Sequence, residues 1–102
     1  MSDKYILVGK TPVPEHNLLK WGRWLEKADR QVAFSIVGPV RISTVFLGLN
    51  HNFFRLEPPI LFETLAFGGP FDGYQNRYST WEEAEAGHKE MVEFMEAIGL
   101  GK

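Results

Sequence analysis

Residues 60–69 read ILFETLAFGG, and the reading of this stretch decides the fold. Strand-forming residues fill it, with one carboxylate, Glu63, set in the middle. In an extended chain successive side chains alternate between two faces. Ile60, Phe62, Thr64 and Ala66 therefore share one face, and Leu61, Glu63, Leu65 and Phe67 share the other. Neither face is polar enough for plain solvent contact, so each calls for cover by helices, a partner or a ligand.

Working outward, residues 40–49, VRISTVFLGL, carry the same pattern. Val40, Ile42, Thr44 and Phe46 fall on one side, with Arg41, Ser43, Val45, Leu47 and Leu49 on the other. Gly38-Pro39 joins this strand to residues 30–37, where Val32, Phe34 and Ile36 alternate with Ala33 and Ser35. These two segments make the clearest hairpin in the chain. A Gly- and Pro-rich turn at 68–73 leads to a short strand at 74–79. Residues 5–9 read as a first strand closed by the turn KTPVP at 10–14.

Two helices complete the pattern. Pro14-Glu15 suits a first helical turn, and Leu18, Trp21, Leu25 and Ala28 form a stripe, with Trp24 at its edge, over residues 15–28. At the other end Ser79 or Thr80 can cap a helix, with Glu82 or Glu83 as the reciprocal acid. Trp81, Ala84, His88, Met91, Val92, Met95 and Ile98 then recur at helical spacing, and Gly99 and Gly101 end the run. The order β-α-β-β-β-β-α predicts an α+β fold: one antiparallel sheet of about five strands with two helices on one face. At 102 residues, with no repeat or linker, the expectation is a single domain over 1–102.

Composition narrows the function classes. With 44% hydrophobic and 24% charged residues the chain is of the folding kind, not the disordered kind. A net charge of −2 argues against a protein that holds nucleic acid by neutralising phosphates, and against one that imitates DNA, which needs a far larger acidic excess; neither is favoured. The absence of cysteine excludes disulfides, thiolate zinc sites and a cysteine nucleophile, and fits a reducing compartment. The apolar run near the N-terminus is too short for a signal peptide, and no run approaches the roughly 18 residues of a membrane span. The expectation is a cytoplasmic protein with no membrane partner.

Several longer motifs look familiar together. They are Trp21-x-x-Trp24, Ala28-Asp29-Arg30-x-Val32-Ala33, Val37-Gly38, STVFLGL at 43–49 with His51, and Pro58-Pro59. LFETLAFGG at 61–69, YSTWEEAE at 78–85 and Gly87-His88 continue the set. In these the chain resembles a family of small uncharacterised proteins found in bacteriophages and in bacterial genomes, where they often look prophage-derived. The resemblance implies a phage-type accessory protein that acts on a host or bacterial defence complex. Where the family pattern has an Asp before the first motif histidine, this chain has Asn50, which argues against a metal or acid–base role there. The insert Phe53-Phe54-Arg55-Leu56-Glu57 stands where relatives are Gly-rich.

Four features carry chemistry. Glu63 on an apolar strand must be paired, protonated or set in a cleft, since a bare buried carboxylate costs several kcal/mol. Arg41 or Thr44 on the neighbouring strand would pair it; alternatively Glu63, Arg41 and His51 would line a pocket for a small ligand or nucleotide. Phe53 and Phe54, in a polar, proline-bounded loop beside Arg55, have the makings of a protein-binding hot spot. Glu85-x-x-His88 has the spacing of one half of a helical di-metal site, but no second pair exists, so His88 reads as a buried structural histidine. No P-loop, dinucleotide or serine-nucleophile fingerprint is present, so neither catalytic residues nor cofactors are expected. Large apolar residues on both faces of residues 40–49 and 60–67 predict a homodimer packed sheet on sheet, or a loop containing Phe53 and Phe54 folded across the open face.

Overall fold

A computed structural model describes residues 3–52 and 57–101. Among these the elements run β1 (Tyr5–Val8), β2 (Thr11–Pro14), α1 (Leu18–Lys27), β3 (Gln31–Val37), β4 (Val40–Phe46), β5 (Phe62–Phe67), β6 (Gln75–Tyr78) and α2 (Trp81–Ala97). The class is α+β, as the pattern requires. The sheet count is not: β3-β4-β5-β6 form one antiparallel meander, while β1 and β2 pair separately.

The meander takes the register that the alternation dictates. Val40 faces Val37, Thr44 faces Thr64, and Phe46 faces Phe62, which in turn faces Tyr78. The even positions of β4 and β5 are all buried, on the face toward α2. Helix α2 starts at a capping box in which Thr80 and Glu83 satisfy each other's backbone N–H groups. Ala84, Gly87, His88, Met91 and Met95 then form its buried stripe. A Cβ at Gly87 would overlap the Tyr78 ring, so glycine is what lets the helix lie this close to β6. Ile98, expected on the stripe, is exposed beyond the last helical turn.

Two core clusters result. Val37, Val40, Ile42, Ala66, Met91 and Met95 pack at one end, and Phe46, Leu61, Phe62 and Ala84 at the other. The Phe46 ring stands edge-on to Phe62 at 5.2 Å and to Trp24 at 5.7 Å, geometries that aromatic quadrupoles favour.

The N-terminal segment departs most from expectation. Residues 11–14 are a strand, not part of a turn, with Gly9-Lys10 as the two-residue reversal. Pro12 and Pro14 fit because they sit at alternate positions of an edge strand, where their missing N–H groups face away from β1. Helix α1 then begins at Asn17, whose side chain accepts from the Lys20 N–H. Leu18 is exposed, and none of the residues of α1 is fully buried.

α2 covers most of the sheet; α1 lies against β1 and reaches the same face through Trp24, whose ring meets Phe46. Gly48 lies where this N-terminal unit meets the meander. The chain leaves β4 there with a φ of +75°, and a Cβ would come within 2.7 Å of the Leu25 side chain. The Gly48 carbonyl accepts from both the Tyr5 N–H and the Trp21 indole N–H, each at 2.9 Å. Beyond this kink Leu49 bridges Lys4, so the N-terminal pair abuts the meander without joining it.

Candidate functional site

The face of the meander that α2 leaves uncovered is set by the odd positions of β4 and β5. Cross-strand pairing places Ile36, Arg41 and Phe67 in one row and Phe34, Ser43 and Leu65 in the next. A third row holds Gln31, Val45, Glu63 and Arg77. Ile36 is 67% exposed, Phe34 50% and Phe67 39%. The register shift between Gln31 and Ala33 turns Val32 away from Phe34 and Ile36, and it packs beside the Phe46 cluster instead.

Arg41 lies over the Phe67 ring at 6.0 Å, a cation–π contact, and has no carboxylate partner among the described residues. Gln31, Phe34, Arg41, Ser43 and Phe67 enclose a hollow of about 520 Å³ that opens to solvent. The surface thus joins exposed apolar side chains to one stacked guanidinium.

Glu63 has a different partner from the expected ones. The register sets it beside Arg77, whose Nε donates to Oε2 at 3.0 Å, while Arg41 sits at the far end of β5 beside Phe67. Thr44 is on the opposite face of the sheet. Neither Glu63 nor His51 lines the hollow that contains Arg41. His51 lies past the end of β4, where its N–H donates to the Ile60 carbonyl at 2.8 Å. Asn50 holds this turn together, because its side-chain oxygen accepts from the N–H groups of Asn52 and Ile60, at 2.8 and 2.9 Å. Phe53, Phe54 and Arg55 fall outside the described residues.

His88 is buried in a chain of hydroxyls on the covered face. Its Nε2 is 2.8 Å from Ser35 Oγ, its Nδ1 is 2.8 Å from Thr44 Oγ1, and Thr44 in turn bonds Thr64. Hydroxyls can turn to match either neutral tautomer or the imidazolium, so hydrogen bonding alone does not select a charge state. Burial does, and it lowers the His88 pKa below the ordinary histidine value. Glu85, three residues earlier, is exposed and does not share this site. Among the described residues no three His, Asp or Glu side chains are grouped to hold a metal, and no helix is long and apolar enough to cross a membrane.

Comparison with protein-family models, with curated proteins and with solved structures gives no match. The surface has to be interpreted from its own chemistry.

Proposed function

We propose that this chain is a binding protein and not an enzyme: a phage-type accessory protein that acts by holding another protein against the open face of its sheet. The observation that carries this reading is the cluster of Phe34, Ile36 and Phe67 around Arg41, exposed on adjacent strands. Aromatic and arginine side chains in one apolar patch are the usual material of interface hot spots. The partner class, a host protein or a component of a bacterial defence complex, follows from the family resemblance. The cytoplasm is where such a partner would be met.

A second copy of the chain is the occupant when no foreign partner is present. Four strands about 4.8 Å apart and about six residues long offer roughly 400 Å² a side. Stable interfaces bury about 800 Å² per partner. The homodimer is therefore weak, and a foreign protein with more surface displaces it. Light scattering across the micromolar range tests this. The expected result is a mass that rises with concentration, and Ile36→Glu holds it at one chain. A mass that stays at one chain at every concentration removes the dimer. Binding of a candidate partner that is unchanged by Phe34→Ser with Ile36→Glu removes the open face as its site.

The hollow around Arg41 supports a second reading, a small-ligand or nucleotide site, because its volume lies in the range of such pockets. Glu63 and His51 do not line it, which leaves Arg41 alone of the three residues expected there. Saturable calorimetric binding of a nucleotide, lost in Arg41→Ala, would favour this reading over the first.

A further inference from the structure

On the helix side of the sheet a second hollow lies between the edge strand β6 and the C-terminal half of α2. Tyr74, Asn76, Glu90, Met91 and Phe94 line it, around about 180 Å³. Met91 is buried, while the rings of Tyr74 and Phe94 keep more than a third of their surface in water. Phe71 braces both: its centroid is 5.4 Å from Phe94 and 6.4 Å from Tyr74. Tyr74 and Phe94 are 6.5 Å apart and tilted by 38°. Edge-to-face packing against Phe71 fixes the rings without covering their outer surfaces.

Charge singles out the same place. Helix α2 carries Glu82, Glu83, Glu85, Glu90, Glu93 and Glu96 against Lys89 alone, a formal charge of −5 with His88 neutral. The whole chain carries −2, so the remainder is +3 and the acidity is concentrated on this helix. Ring faces attract cations through their quadrupole, and a carboxylate beside them adds direct charge. A phosphate or a carboxylate ligand would be repelled here.

We propose that this hollow binds the guanidinium end of an arginine side chain from a basic polypeptide segment. Tyr74 and Phe94 carry the planar cation on their faces, Glu90 neutralises it, and Asn76 offers its side-chain carbonyl. The volume suits one such side-chain end. The glutamates further along α2 attract neighbouring basic residues and steer the approach, which is why a polypeptide and not a free cation is the occupant. The site is separate from the open sheet face and does not depend on its function.

The test uses the full chain labelled with ¹⁵N and a capped peptide of alternating arginine and glycine at low salt. Saturable shifts are expected at Tyr74, Asn76, Glu90 and Phe94, with none at Ser43 or Phe67. Glu90→Gln should weaken binding about two- to five-fold, the size of one partly exposed ion pair. Phe94→Ala should abolish saturation while the spectrum stays that of a folded protein, since the ring is exposed. Glu82→Gln, on the same helix but outside the hollow, should change little. Absent saturation, or equal weakening by Glu82→Gln and Glu90→Gln, overturns the site. A single capped arginine that binds as tightly as the peptide overturns the polypeptide occupant.

Discussion

The two faces of the β3–β6 meander each depart from a simple apolar-in, polar-out pattern, in opposite senses. On the covered face, beneath α2, Thr44, Thr64 and His88 are buried among Ile42, Phe46 and Phe62. On the open face Phe34, Ile36 and Phe67 stand in water. Exposed hydrophobes are common singly, so what carries information is that polar groups are buried and bonded while apolar ones are exposed together. The covered face is closed and satisfied. The open face is held flat by the same strands, but nothing in the chain's described residues closes it.

The comparison breaks most easily in the core. Phe46→Ala removes the ring on which Trp24 and Phe62 converge, and should cost about 3–5 kcal/mol in urea unfolding. A loss of the same size from Phe34→Ala would show that the two faces do not differ as described. His88→Ala should cost about 1–3 kcal/mol, because it leaves the Ser35 and Thr44 hydroxyls without a shared partner.

pH sharpens the same contrast. His88 favours its neutral form in the fold, so its folded pKa lies below its unfolded value. In the interval between the two, the unfolded chain binds the proton and the folded chain does not. The contribution is complete above the unfolded value of about 6.5 and is lost as pH falls below it. Urea midpoints should therefore drop between neutral pH and about pH 5.5, and His88→Gln should flatten that drop. An unchanged slope in the variant would move the cause elsewhere.

Smaller effects belong to the open face. Arg77→Ala removes the ion pair with Glu63 and should cost at most about 1 kcal/mol, less still in high salt. Ile36→Ser should change stability by no more than about 0.5 kcal/mol, yet reduce self-association in light scattering. Stability and binding would then separate cleanly on this face.

Much of this was legible in the sequence, and for physical reasons. Period-2 alternation in residues 40–46 and 62–67 sets the covered face, and the capping box with its apolar stripe sets α2. The unmet apolar residues of the second face follow from the same count. What failed was long-range register. The sequence suggested Arg41 or Thr44 as the partner of Glu63, and only the pairing of Val45 with Glu63 and of Glu63 with Arg77 shows that it is Arg77. Pro12 and Pro14 disguised β2 as a turn, although both are tolerated on an edge. Leu18 on the α1 stripe promised burial that the helix, packed against β1, does not provide. The ring cluster of Phe71, Tyr74 and Phe94 was invisible because a turn and a distant helix supply it; Phe94 lying off the buried stripe of α2 was its only trace.

The Gly48 carbonyl, which receives both the Tyr5 and the Trp21 N–H groups, has a consequence for how the molecule breathes. β1 and α1 contribute the half-buried Tyr5, Leu7 and Trp24 to the Phe46 cluster, and β1, β2 and α1 have no fully buried residue of their own. That oxygen, reached from Trp21 across 27 residues of chain, is one attachment among several, beside the Asn50 N–H bond to the Asp3 carbonyl and the Trp24 ring against Phe46. Releasing these contacts exposes half-buried side chains only, whereas melting the meander exposes both fully buried clusters. The N-terminal unit can thus detach as a cooperative piece while α2 stays docked, and its amides should exchange with solvent by this sub-global opening, ahead of those of β4 and β5.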